Sequence, residues 1–158
     1  MEKKPIRRNE HIAKLSRDHH ASLMFCWKIR QGIKLNAESE RMTKYVAYFL
    51  DHHFLPHFKE EEEILFVPVQ DNKVQKAIDD HVVIRKMAGD IIADPVEKQK
   101  SLTMLADLVD DHVRYEERIL FPFLENELSE EQLENIGSQL AGEPAKDTFE
   151  DEFWVKRS

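Results

Sequence analysis

Apolar residues recur every three or four positions along almost the whole chain, the spacing with which an α-helix presents one face to a core. Four long segments carry this pattern. The first runs from about Asn9 to Ile33. The second, from about Ala37 to Phe66, contains Pro56, and a proline removes a backbone donor, so an interruption and a bend are expected there. The third runs from about Asn72 to Ala93. The stretch Asp94-Pro95-Val96-Glu97 then reads as a turn, with proline at the first position of a fourth helix spanning about Val96 to Glu125. Ser129, with Gln132 three residues on, has capping-box spacing and starts a short fifth helix that ends near Gly137 or Gly142. The rest is polar, with Phe149, Phe153 and Trp154 as anchors for the bundle or for a protein partner or second copy.

Short connections between long helices predict an all-α fold, an up-down-up-down four-helix bundle with a short C-terminal fifth helix and a tail. The expected organisation is one domain over residues 1–158, with a bundle core at about 9–126, the short helix at about 129–141 and the tail at 142–158.

Composition narrows the class. Only 4 glycines and 6 prolines among 158 residues suit long helices better than a sheet with many tight turns. A formal charge of −8 argues against binding nucleic acid or an anionic membrane. No apolar run approaches membrane-spanning length, and the basic start "MEKKPIRRNE" lacks the apolar stretch of a signal peptide. A single cysteine, Cys26, leaves no intrachain disulfide and suits a cytoplasmic location.

The chemistry lies in what breaks the apolar stripes. The inward seams read Ile12, Leu15, His19, Ser22, Cys26, Ile29, Ile33, then Leu50, Phe54, His57, Glu61, Ile64. They continue with Val74, Ala77, His81, Ile84, Ala88, Ile91, then Leu102, Leu105, Val109, His112, Glu116, Ile119, Phe123. Each stripe is apolar or small except at a histidine, and on two of them a glutamate follows one turn later. Residues four apart share a helix face, so His57 with Glu61, and His112 with Glu116, each present an imidazole and a carboxylate together. Burying such groups without partners costs several kcal/mol, roughly, unless they are hydrogen-bonded or bound to metal. Four histidines and two carboxylates exceed one tetrahedral zinc and fit two metals. "HFKEEEEILF" from His57 and "HVRYEERILF" from His112 repeat one pattern, and Asp18-His19 and Asp80-His81 repeat another. Each helical hairpin therefore supplies one lone histidine and one His-x-x-x-Glu pair, with Glu61 and Glu116 expected to bridge the two ions.

Other polar residues are weighed against these. His20 rivals His19, but its stripe is less apolar, so His19 is preferred. His53 is one turn before His57, where it could line the entrance to the site, but solvent exposure is preferred; His11 is expected at a fraying terminus. Glu60, Glu62 and Glu63 are expected at the surface or supporting the ligands, and Tyr115 is expected to pack between helices. Cys26 is read as a small buried hydrophobe. Asp18, Asp80 and Asp111 each precede a candidate ligand, but neighbours on a helix do not share a face. They are not expected to support the site.

The stretches "LSRDHH", "LPHFKEEEEILF", "DDHVVIRKM" and "HVRYEERILFPFLE" resemble the hemerythrin-like (haemerythrin HHE cation-binding) family, over roughly Leu15 to Glu125. The resemblance implies a four-helix bundle around a non-haem di-iron centre with a solvent-derived bridge. Its implied ligands are His19, His57, Glu61, His81, His112 and Glu116. Oxygen-carrying haemerythrins add a histidine on the third helix and end with His-x-x-x-x-Asp. Here Arg85 follows His81 at the four-residue spacing and Glu116 closes the set, as in the broader group of iron sensors and proteins handling nitric oxide or damaged iron–sulfur clusters. The expected role is binding or sensing dioxygen, nitric oxide, iron or redox state. The alternative is a di-iron enzyme that reduces nitric oxide or peroxide, or assists iron–sulfur repair. A ferritin-like unit is disfavoured because no histidine here has a glutamate three residues before it. A metal-free bundle acting through its tail is the remaining contrast.

Overall fold

Helix α1 spans Ala13–Lys34. It ends in a tight reversal at Asn36, whose φ of 55° is a left-handed conformation that asparagine tolerates, and Ala37 N–H donates to the Gly32 carbonyl to close the turn. Helix α2 is continuous but not uniform: α-helical over Ser39–Phe49, π-helical over Leu50–Phe54, α-helical over Leu55–Glu60 and π-helical over Glu61–Leu65. Helix α3 spans Asn72–Ala93, capped by the Asp71 side chain on the Lys73 N–H. Helix α4 is α-helical over Gln99–Tyr115, π-helical over Glu116–Leu120 and α-helical over Phe121–Glu127. Helix α5 spans Glu130–Gln139 with the Ser129/Gln132 capping box formed, and it runs through Gly137. The computed structural model describes residues 7–94, 98–140, 142 and 146–156, so the expected turn at Pro95 and helix start at Val96 lie outside the described residues. Among those residues the chain is all-helical, and no helix is long and apolar enough to cross a membrane.

The interruption expected at Pro56 takes the form of a π turn. The wider Leu50–Phe54 turn ends just ahead of Pro56, and Glu116–Leu120 likewise ends just ahead of Pro122. A proline ring in a regular helix meets the carbonyl four residues back and offers no N–H, so a widened turn beforehand keeps the helix running. Each π turn also inserts a residue into the register, which corrects the predicted seams. Ile64 and Phe123 are only partly buried, and Ile119 is 49% exposed. The core positions are instead Leu65, Leu120 and Leu124, each 0% exposed, and upstream Phe49 replaces Leu50. On α3, which has no π turn, the buried residues are the six predicted ones.

The four long helices close a ring of contacts: α1 against α4, α4 against α3, α3 against α2 and α2 against α1. Their apolar interior is divided into two clusters. One gathers Phe25, Tyr45, Phe49, Phe54 and Phe58 with Ile84, Leu105 and Val109. The other gathers Leu15, Leu65, Phe66, Val74, Leu120 and Phe121 and is closed by Leu133 and Ile136 of α5. Between them lies a buried polar layer. The tail packs on the first cluster: Phe153 is buried, Phe149 and Trp154 pack on Tyr45, and Arg41 pairs with Asp151 at 2.6 Å. Its aromatic anchors are thus used on its own bundle.

Candidate metal centre

The polar layer is built by one turn of each long helix. α1 delivers His19, α2 delivers His57 and Glu61, α3 delivers His81, and α4 delivers His112 and Glu116. None of the six is more than 4% exposed. His20, one residue on, points to solvent, as the less apolar stripe implied. The Nε2 atoms converge on the two carboxylates: His19 on Glu116 at 2.9 Å, His57 on Glu61 at 3.3 Å, His81 on Glu61 at 3.1 Å and His112 on Glu116 at 3.2 Å. Two overlapping sets result, His19, His57, Glu61 and Glu116, and His81, His112, Glu61 and Glu116. Within each set the nearest donor atoms all lie within 4.8 Å of one another. Both glutamates belong to both sets.

Each imidazole is held from behind by a carboxylate at Nδ1. His57 donates to Asp18 at 3.0 Å, His112 to Asp80 at 3.0 Å, His81 to Glu62 at 2.8 Å and His19 to Glu117 at 3.1 Å. Such bonds fix the tautomer with the proton on Nδ1 and aim the Nε2 lone pair inward. Behind each carboxylate stands a cation: Lys14 at 3.1 Å from Asp18, Lys76 at 2.9 Å from Asp80, Arg85 at 3.5 Å from Glu62 and Arg8 at 3.8 Å from Glu117. The expectation that Asp18 and Asp80 play no part is therefore wrong. Neither touches the histidine beside it, as helix geometry requires, but the face each occupies meets the neighbouring helix, where the other histidine of the hairpin waits. Glu62 and Glu117 do the same across the hairpins, and Glu117 went unnoticed in the sequence. Its signal was there, because it holds in the second repeat the place Glu62 holds in the first. Asp111 is exposed, Glu63 is exposed, and Glu60 pairs with Lys14.

His53 also departs from expectation. It is only 5% exposed, its Nε2–H donates to the Asp18 carbonyl at 3.1 Å, and its ring lies parallel to His57 with centroids 6.2 Å apart. The π turn before Pro56 rotates it inward. Tyr115 packs beside the second cluster and donates its hydroxyl to the Lys73 carbonyl at 2.6 Å. Cys26 is buried, bonded to the Ala106 carbonyl, and burial pushes its thiol up to about 12, so it is inert. His11 is partly buried, against Gly137 of α5.

Electrostatics set the six residues against one another. Burial, then the neighbouring Glu116 charge, push the Glu61 carboxyl well above the ordinary carboxylate range. Burial acts the same way on Glu116, but the His112 and His19 partners outweigh it and hold that carboxyl well below. Burial also pulls down on His112, yet Glu116 and Asp80 raise it to about 10, while burial draws His81 down to about 3. Two adjacent buried carboxylates do not both ionise unless a positive charge joins them. The polar atoms tell the same story: His57 Nε2, His81 Nε2, His112 Nε2, both Glu61 oxygens and Glu116 Oε2 are buried without a hydrogen-bond partner. In a folded interior such atoms are rare and costly. Their shared direction and mixed N and O character fit the binding of metal cations of intermediate hardness.

A family model described as the hemerythrin HHE cation binding domain matches residues 10–124. Searches of curated proteins and of solved structures return no match. The match covers most of the chain and all six converging residues, and the chain belongs to the hemerythrin HHE cation-binding family.

Proposed function

We propose that the chain is a single up-down-up-down bundle that holds two iron ions and binds or senses a small diatomic ligand, dioxygen or nitric oxide. His19 and His57 serve one ion, His81 and His112 the other, and Glu61 and Glu116 bridge them. The observation that carries the reading is the set of orphaned, inward-pointing Nε2 and carboxylate atoms, each imidazole backed by its own carboxylate. When bound, an iron pair supplies redox-active positions at which a small ligand can coordinate. The chain's own contribution is to orient four imidazoles, supply the two bridging carboxylates and exclude bulk water from the layer. Iron suits imidazole and carboxylate together, and the single buried cysteine suits a reducing compartment such as the cytoplasm.

Metal content of protein purified from an iron-replete host tests the first half: about two irons per chain is expected from a four-imidazole, two-carboxylate set. The second half is tested by titrating the reduced, loaded protein with nitric oxide and with dioxygen and following the visible spectrum. No metal after anaerobic reconstitution with ferrous iron would sink the whole reading. Two irons with no spectral response to either gas would restrict it to iron sensing.

A further inference from the structure

The six converging residues are at most 4% exposed, so a small ligand must cross a wall of side chains to reach them. Two surface cavities abut that wall. One lies at the α2–α3 connection beside Glu62 and Phe66. There His81 is covered by two stacked rings, Phe58 at 3.9 Å and Phe66 at 6.3 Å between centroids. The other, of about 240 Å³, lies beneath the tail, between Tyr48, His52 and His53 on α2 and Lys146, Asp147 and Thr148 of the tail. Its inner wall includes His53, which is bonded to the Asp18 backbone while the Asp18 carboxylate holds His57. The second half of the centre has no such imidazole, because Leu108 takes the place of His53 in the repeat.

The outer wall of this chamber is held by a few polar contacts. Asp147 accepts from the Tyr45 hydroxyl, from Lys28 Nζ at 3.0 Å and from the Phe149 N–H at 3.0 Å, and Thr148 N–H donates to the Tyr48 hydroxyl at 2.9 Å. We propose that the chamber under the tail is the way in for small anions and diatomic ligands to the His19/His57 half of the centre, with residues 146–148, which precede the packed aromatic anchors of the tail, as its lid and His53 as its inner door. Lys146 at the rim, with the hydroxyl and imidazole groups of Thr148, Tyr48 and His52, suits a small polar or anionic visitor. The proposal rests on the metal reading above, and its test keeps the two apart.

Asp147→Ala and Tyr48→Phe loosen the lid without touching a candidate ligand. Iron-loaded wild type and variants, with metal content measured first, are mixed rapidly with azide, and His53 in each metal-free chain is labelled with diethyl pyrocarbonate and read by peptide mass spectrometry. Removing bonds of this kind raises the open population about tenfold. Azide association should therefore quicken about tenfold in Asp147→Ala and less in Tyr48→Phe, with its equilibrium affinity unchanged and His53 labelling raised in the same order. An unchanged azide rate in fully loaded Asp147→Ala overturns the route, as does wild-type His53 labelled as fast as in the variants. Failure of every chain to take up metal overturns the metal reading, and with it the route; unchanged metal content and helical signal exclude misfolding as the cause of a faster rate.

Discussion

Asp18→Asn isolates the carboxylate behind His57 with almost no change of shape. The Asp18 side chain is 3% exposed, accepts from His57 Nδ1 at 3.0 Å and lies 3.1 Å from Lys14, so solvent does little to screen it. Asparagine keeps an acceptor oxygen at the same place but removes the charge, turning a charge-assisted bond into a neutral one, a loss of about 1 kcal/mol. The amide can also present its NH2 group to His57, which would favour the wrong tautomer and turn the Nε2 lone pair away from the pocket. Replacing such a supporting carboxylate typically weakens metal binding by about 10–100-fold, or roughly 1.4–2.7 kcal/mol. Cobalt(II) or zinc(II) competition against a chromophoric chelator reads this directly. Asp80→Asn should cost less, since Asp80 is 19% exposed, and Asp111→Asn, at an exposed position, should cost nothing measurable. Equal affinities for Asp18→Asn and wild type would refute the claim that these carboxylates orient the ligands. Equal losses for Asp18→Asn and Asp111→Asn would show that the effect is only one of net charge.

The register shift predicts that Leu120→Ala destabilises the protein by about 2–5 kcal/mol in denaturant unfolding, while the adjacent Ile119→Ala, 49% exposed, stays within about 0.5 kcal/mol. Comparable effects at the two positions would mean the π turn is absent. Gly137→Ala would bring its new methyl group to 2.7 Å from His11 Nδ1 and 2.9 Å from His11 Cβ, so a loss of about 1–3 kcal/mol is expected, relieved when His11→Gly, which removes both atoms, is combined with it and only in part by His11→Ala. For His53, burial lowers the folded pKa from 6.5 to about 4, so the unfolded chain takes up the proton first. Its contribution is therefore complete above about pH 6.5 and is lost as pH falls towards about 4, by at most about 3 kcal/mol. The stability gap between wild type and His53→Gln, measured on the metal-free proteins by urea unfolding, should change in favour of the variant as pH falls; parallel curves would refute the assignment.

The helices and the six converging residues were legible because both depend on periodicity. On α3, where the helix is regular, a three-and-four count finds every core residue, and the same count places His81 among them. It fails by one residue after Glu61 and Glu116, because a π turn has no signature in hydrophobic spacing other than the slip it causes. Pro122 and the Ile-Leu-Phe that follows each glutamate were the available hints, since an apolar triplet supplies a core residue in either register. Which histidine each of Asp18, Asp80, Glu62 and Glu117 supports was illegible for another reason. Their partners lie on other helices, and a rule about which residues share one helix face says nothing about what the next face meets.

That arrangement makes the centre a property of the whole bundle. Each of the two sets draws its histidines from one hairpin, but Glu61 and Glu116 belong to both sets, and Glu62 and Glu117 reach from one hairpin to support a histidine of the other. Neither half can be complete while the hairpins are apart. The layer also separates two apolar clusters that would otherwise be one core, so its buried carboxylates and imidazoles weaken the fold unless something satisfies them. A bound cation would do so, and its binding energy would then contribute to folding. The repeat keeps this inner arrangement nearly symmetric, while the surroundings do not repeat. His53 and the tail lie beside one half, where Leu108 and the more exposed Asp80 lie beside the other. If the two sets each hold an ion, as proposed, their ligands would be alike while their access to water and small molecules would not, and the two ions would then come to behave differently through their surroundings rather than through the ligand set.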